Sequence, residues 1–417
     1  MKIIEQNSLG PYEYSSLRIA ADGGSLEQAI SDALAEQGFA WDARDSQQLT
    51  PYVQAGMTLL AIKLKKTAPT AINQPIAITY ESAELAIPIR ATRSAARADM
   101  PLRVWLFGDA HAVPANYQTL IVNDALFDWH GAQKFPFGTA PANGAGAFGP
   151  RIDLPSNYHA VIGQAANAAR DGQGFFVEHS TPTSHVRDII WSGLDNGNVD
   201  RVVESGIAPF EVVFRALESF RNWDGLKTVI ARNVQLPEGS TYEQLLADPA
   251  VFRGTASVDA ARFLEQLERD VLAPVRDTAA LMRRTPYMTQ LFSTLSAEDM
   301  TLDPTFQWNP DLALVGNVHI AKQYLMCALG EDAKTAAWRM ELPQGGVAVG
   351  SGRVSWPVAL DAMPANLMVV ALTSEGSGEV VQDNRDAIGR AMYAATGRNG
   401  TGAAVPLVPQ NGVTIGL

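Results

Sequence analysis

MTLLAIKLKK (57–66), PIAITYES (75–82), LAIPIRAT (85–92) and LRVWLFGDA (102–110) follow one another, each short and rich in Ile, Leu, Val or Thr. Such runs read as strands. The links between them, including TAPTAINQ (67–74) and ESAE (81–84), are short. Consecutive strands on short links predict an antiparallel sheet rather than crossover units. Working outward, YEYSSLRIA (12–20) adds a strand. SLEQAISDALAEQG (25–38) places Leu26, Ile30, Ala33 and Leu34 at helical spacing, with Ser25 as N-cap and Gly38 as C-cap. The first third therefore reads as an antiparallel sheet with a helix packed on one face.

Further along, FPFGTAPANGAGAFGP (135–150) has no apolar period and reads as a loop. Its GAGAFG fits G-x-G-x-x-G, but Pro150 and a polar segment follow where a dinucleotide site needs a helix. SNYHAVIGQAANAARDG (156–172) puts Tyr158, Val161, Ile162 and Ala165 on one helical face, and GFFVEHS (174–180) reads as a short strand. APFEVVFRALESF (208–220) and the long stretch from Val258 to Ser296 read as helical blocks, the second interrupted by Pro274 and Pro286. WRMELPQGGVAVGSGRVSWPVAL (338–360) reads as a β-hairpin-like segment, and DNRDAIGRAMYAATG (383–397) as a helix. The expected class is α+β. Its sections are an α/β sheet unit (1–134), a Gly/Pro-rich loop (135–150), a mainly helical unit (151–330) and a β-rich part with one helix (331–417).

Composition narrows the function. Over 417 residues the hydrophobic fraction is 47% and the charged fraction 18%, a globular balance. A net charge of -12 repels phosphate backbones and argues against nucleic acid as a partner. No apolar run is long enough to span a bilayer, and no signal-peptide h-region opens the chain, which by itself points to the cytoplasm. The single cysteine, Cys327, excludes an intramolecular disulfide and reads as a buried, inert thiol. With no cofactor motif, a redox role ranks last.

Several ordered phrases resemble the bacterial family known as domain of unknown function 2330. They are GPYEY (10–14), PYVQAGMTLLAIKLK (51–65), IPIRAT (87–92), DMPLRVWLFGDAHAVPANY (99–117), GQGFFVEHS (172–180) and the stretch from Tyr287 to Ala321. The resemblance implies a secreted or envelope-associated protein. Members carry a signal peptide and a cysteine-containing β-rich region ahead of GPYEY. A chain starting almost at that phrase would then be the later portion of a longer, extracytoplasmic protein. The family brings no assigned activity and no assigned catalytic residues.

Three constellations carry chemistry-bearing residues. In SAEDMTLDPTFQWNPDLALVGNVHIA (296–321), Asp303, Asn309 and Asp311 offer the hard oxygen ligands that Ca²⁺ or Mg²⁺ takes. Their spacing fails the EF-hand template. Ser296 and Asp299 fit a capping box, and Asp303-Pro304 and Asn309-Pro310 fit turn starts, with Phe306 and Trp308 anchoring a loop. In FGDAHAVPANYQTLIVNDALFDWH (107–130), Asp109 and His111 follow a strand directly, as a base and its orienting carboxylate would, or a transition-metal pair, and Asp124, Asp128 and His130 lie just beyond. In FFVEHSTPTSHVRD (175–188), Glu178 and His179 form a carboxylate–imidazole pair, with Ser180 or Ser184 as a possible nucleophile. No G-x-S-x-G elbow is present. Two readings follow: a binding or scaffold protein of unknown ligand, or a hydrolase, metal-assisted or not, using Asp109, His111, Glu178 and His179. Cofactor, small-molecule ligand and oligomeric state stay open.

Overall fold

The structure is a computed structural model. It describes residues 2–9, 12–20, 24–39, 41, 43–64, 76, 78–82, 84–129, 156–185, 208–220, 224–316, 319, 321–326, 337–344, 346–351 and 363–396. GAGAFG, His130 and Cys327 lie outside these.

Ser25 opens the first helix and Gly38 closes it, as the sequence predicts. Ser25 caps α1 (Leu26–Glu36) by accepting the Gln28 N–H. Gly38 sits at φ +73°, and the N–H groups of Gly38 and Phe39 bond back to Ala35 and Leu34. That pair of bonds needs a left-handed residue, hence glycine. Ile30, Ala33 and Leu34 are buried against an antiparallel sheet of β1 (Lys2–Leu9), β2 (Tyr12–Arg18) and β3 (Leu59–Leu64). Helix α2 (Ala43–Gln54) adds Leu49, Tyr52 and Val53 to that core. The α+β class, with an antiparallel sheet and packed helix early in the chain, is what the structure has.

The four runs of residues 57–110 nevertheless part company. MTLLAIKLKK supplies β3. Ile76 and Ile78–Ser82 of PIAITYES hold no strand. LAIPIRAT gives only the two-residue β4 (Leu85–Ala86) before a 3₁₀ turn at Arg90–Ala95; Pro88 between them has no N–H for a ladder. LRVWLFGDA lies in β5 (Met100–Gly108), which belongs to a different and larger sheet.

After β5 come β6 (His111–Pro114) and β7 (Gln118–Val122), then α3 (Tyr158–Asn167) and β8 (Gly174–Pro182). β7 and β8 pair in parallel, and α3 buries the predicted Tyr158, Val161, Ile162 and Ala165. Next, α4 (Pro209–Phe220), α5 (Asp224–Asn233), β9 (Val234–Gln235), α6 (Tyr242–Ala247), β10 (Ser257–Val258) and α7 (Ala260–Leu267) gather round a core whose buried members all lie between Phe210 and Leu272. A π turn at Glu268–Leu272 leads into α8 (Ala273–Arg284). The expected break at Pro274 does not occur. Pro274 falls in the first turn of α8, and the wider π turn ahead of it absorbs the missing N–H.

Beyond Pro286 the expected helix is instead β11 (Tyr287–Leu295). It is buried along nearly its whole length, so the period-two alternation that betrays a strand is absent. β11 lies between β8 and β5 in a sheet of order β17-β16-β7-β8-β11-β5, where β16 is Asn366–Ala371 and β17 Glu379–Asp383. β8 and β11 pair antiparallel, so residues 183–286, helices included, are an excursion between two neighbouring strands. One sheet thus draws strands from three of the four expected sections, all but the Gly/Pro-rich loop.

On one face of this sheet, Val104, Leu106, Val177 and Leu291 pack with Ala112, Phe306 and Met300. The covering layer is a small sheet of β4, β12 (Thr305–Asn309) and β6, so TFQWN is a strand and not the predicted loop. On the other face, Phe176 and Phe292 join α3 and the buried side chains Trp338, Met340 and Ile388. These last come from a sheet of β13 (Lys322–Met326), β14 (Ala337–Glu341) and β15 (Val347–Ser351), and from α9 (Arg385–Thr396). β14–β15 is the hairpin and α9 the helix that the sequence predicts. Among the described residues, no helix is long and apolar enough to cross a membrane.

Candidate functional site

Glu178 is the centre of a polar cluster on the large sheet. The register of β8 on β11 slips between Gln290 and Leu291, which pair with His179 and Val177, and leaves Glu178 as the extra residue of a β-bulge. A bulge re-aims a side chain. Here Glu178 meets Arg103 of β5, Gln290 of β11 and Tyr158 of α3. Arg103 donates through Nε at 2.8 Å and Nη2 at 3.1 Å, Gln290 through Nε2 at 2.6 Å and Tyr158 through its O–H at 2.5 Å. Four donors on two oxygens satisfy a carboxylate at 9% exposure. Burial first, and then the Glu178 charge, hold the Tyr158 phenol far above its usual range, so it stays a donor. The Arg103 guanidinium lies 5.1 Å from the Phe292 ring centre. Such a carboxylate has no lone pair at liberty to take a proton from a substrate.

His179 stands opposite Gln290 in the next rung and is half-buried. Burial and the nearby His185 lower its pKa, and His185 Nδ1 lies 3.1 Å from Thr181 Oγ1. Ser180 is fully buried, with its hydroxyl 2.8 Å from that of Thr289. Ser184 is exposed.

His111 belongs to the other layer. It starts β6, pairs with Asn309 of β12, and is 3% exposed. Its Nδ1 is 3.3 Å from the Ala313 carbonyl, which fixes Nδ1 as the protonated nitrogen, while Nε2 is buried without a partner among the described residues. Desolvation lowers its pKa to about 4, so the ring is neutral at physiological pH. Asp109 sits on the exposed bend between β5 and β6, past the Gly108–Tyr287 rung and several rungs from Glu178. Glu178 and His179 therefore come together, and Asp109 and His111 do not join them.

The three oxygen-ligand candidates act as clamps. Asp303 accepts the Tyr52 O–H at 2.5 Å and the Arg90 N–H at 3.0 Å, tying the loop after β11 to α2 and the 3₁₀ turn. Buried Asn309 donates to the Thr373 and Gly376 carbonyls at 2.8 and 2.9 Å and accepts the Asp311 N–H. Asp311 accepts the Gly376 N–H at 2.7 Å. Both pin the β16–β17 connection. Ser296 and Asp299 form half of the predicted capping box: Asp299 accepts the Ser296 N–H, but the Ser296 hydroxyl takes the Asp99 N–H instead. No helix follows, only a turn. Among the described residues, no three His, Cys, Asp or Glu side chains gather in a way that could hold a metal ion.

Arg103 and Gln290 escape the sequence reading. Arg103 had a visible signal: a lone charge inside the apolar run LRVWLFG demands a partner. Asp124, noted in the sequence only as lying beyond the Asp109/His111 pair, sits in the turn after β7. It is 6% exposed and, among the described residues, accepts only the Gln344 N–H, at 2.7 Å, while its own N–H bonds to Gln344 Oε1. Burial pushes its carboxyl up to about 7.

The fold so described is a mixed α+β protein built on a central six-stranded sheet. Residues 1–180 match the family described as an uncharacterized protein conserved in bacteria, DUF2330. The match ends inside β8, just ahead of the helical excursion. It contains β5, β7 and β8 but not β11, the strand that joins β5 to β8. No curated protein and no solved structure matches the chain.

Proposed function

We propose that this is a non-catalytic binding or scaffold protein that works outside the cytoplasm. One observation supports it above the hydrolase reading: Glu178, the best-placed candidate acid/base, is saturated by Arg103, Gln290 and Tyr158. A general base needs an open acceptor within reach of the proton it abstracts. His111, buried in the other layer, and the surface Asp109 do not replace it. The extracytoplasmic setting rests on the family resemblance alone.

The test is a panel of ester, phosphate and glycoside substrates, with elemental analysis of the purified protein. The expected result is turnover at background level and no stoichiometric metal. Turnover that disappears in both Asp109→Asn and Glu178→Gln, with each variant still folded, overturns the proposal in favour of a hydrolase.

A further inference from the structure

The two edges of the central sheet are built differently. β17 is short, pairs through a register slip between Val369 and Val370, and carries Glu379 and Asp383 at its ends. Charges, irregularity and shortness are the usual means of keeping an edge from pairing. β5 has almost none of them. Its nine residues pair with β11 in unbroken register from Met100–Leu295 to Gly108–Tyr287. Its one proline, Pro101, stands near the end of the strand, where a lost N–H matters least. Among the described residues, no strand and no backbone hydrogen bond occupies its outer side. Its one internal charge, Arg103, is held inward by Glu178. Trp105 is 52% exposed, the largest apolar side chain of the strand, left half in water.

We propose that β5 pairs antiparallel with β5 of a second copy of this chain, making one continuous sheet through a two-fold axis at Val104. An isologous contact must be self-complementary, and the sequence is so about this residue. Arg103 then stands opposite Trp105 of the second copy and Trp105 opposite Arg103. Leu102 faces Leu106 and Leu106 faces Leu102 on the other side of the sheet. Each indole covers the aliphatic stem of an arginine whose guanidinium stays on Glu178, a pairing that uses the apolar part of a long cationic side chain. Neighbouring registers that keep the faces aligned are poorer. One sets Arg103 against Arg103, and the other sets Trp105 against Trp105 and leaves Arg103 against Phe107. The pairing buries Trp105 at the centre of the contact, where tryptophan contributes most to binding.

Sedimentation equilibrium of the full chain across the micromolar range tests this, with amide hydrogen exchange on the same samples. A reversible dimer is expected, with the alternate amides of residues 102–106 that point away from β11 protected as concentration rises. Trp105→Lys raises the dissociation constant about tenfold or more. Trp105→Thr, milder and strand-compatible, shifts it in the same direction and carries the test if the lysine variant fails to fold. Val380→Lys, on the opposite edge, leaves it unchanged. A monomer throughout the range overturns the proposal. So does a dimer that both Trp105 variants leave intact, or one whose β5 amides exchange freely.

Discussion

Glu178 and Asp124 are both buried carboxylates, and the chain treats them in opposite ways. Glu178 lies mid-sheet with four side-chain donors, one group of them cationic. Asp124 lies in a turn at the sheet's margin with one backbone N–H. Burial is similar, so donor count and countercharge decide the outcome. The first carboxylate is a cross-link between β5, β8, β11 and α3. The second is raised to about 7 and exists as a mixture of neutral and charged forms near neutrality.

The largest effect is expected at Glu178. Glu178→Ala strands the Arg103 guanidinium, the Tyr158 hydroxyl and the Gln290 amide, and breaking a buried pair of this kind costs about 4 kcal/mol. Urea denaturation of the variant measures it. A loss below about 1 kcal/mol, the size of an exposed ion pair, breaks the comparison by showing that water already reaches the cluster through the partly exposed Arg103.

Asp124 gives a smaller effect with a sign set by pH. Its carboxyl holds a proton more tightly folded than unfolded, where 3.8 is its ordinary value. The stabilisation is complete below about pH 4 and is lost as pH rises through about 7, by up to about 1.4 kcal/mol per pH unit. His111 works in the opposite sense between its ordinary 6.5 and about 4, losing stability as pH falls. The difference between Asp124→Asn and the parent therefore isolates Asp124. Asn keeps an acceptor for the Gln344 N–H but buries an amide without a full set of partners. The expected net gain is about 2 kcal/mol at pH 8; it falls through zero at about pH 5 to 6 and becomes a loss of about 2 kcal/mol near pH 4, where only the cost of the under-partnered amide remains. A difference that does not change with pH removes the contrast between the two carboxylates.

Local structure was legible where a signal was local. Ser25 and Gly38 bounded α1, the Tyr158–Ala165 stripe gave α3, and GFFVEHS gave β8. What failed was what distance decides. β11 is covered on both faces and shows no alternation, so its Thr, Leu and Phe residues passed for helix. β12 looked like a loop because Asp303-Pro304 and Asn309-Pro310 flank only five residues, too few for a pattern. That β8 pairs with β11 across residues 183–286 is written in neither strand alone. The cluster suffered likewise. Glu178 stood out, but its partners lie 75, 20 and 112 residues away in the chain, and only the odd charge of Arg103 hinted at them.

Asp303 offers an intermediate case between the two buried carboxylates. It is half-buried and has two donors, the Tyr52 O–H and the Arg90 N–H. Burial and Asp303 together push the Tyr52 phenol well above its usual range, so the hydroxyl donates at every physiological pH. Tyr52→Phe removes one donor and leaves the ring packed in the α1–α2 core. Water can reach a half-buried carboxylate, so the expected loss is about 1 kcal/mol, the net worth of a hydrogen bond to a charged group when solvent replaces part of it. A double-mutant cycle with Asp303→Asn measures the coupling directly. A coupling near the Glu178 value would mean that the clamp between α2 and the loop after β11 is as dry as the sheet interior. It would also mean that exposure of the carboxylate, the reason for expecting a smaller loss at Asp303, does not predict the cost of removing a donor.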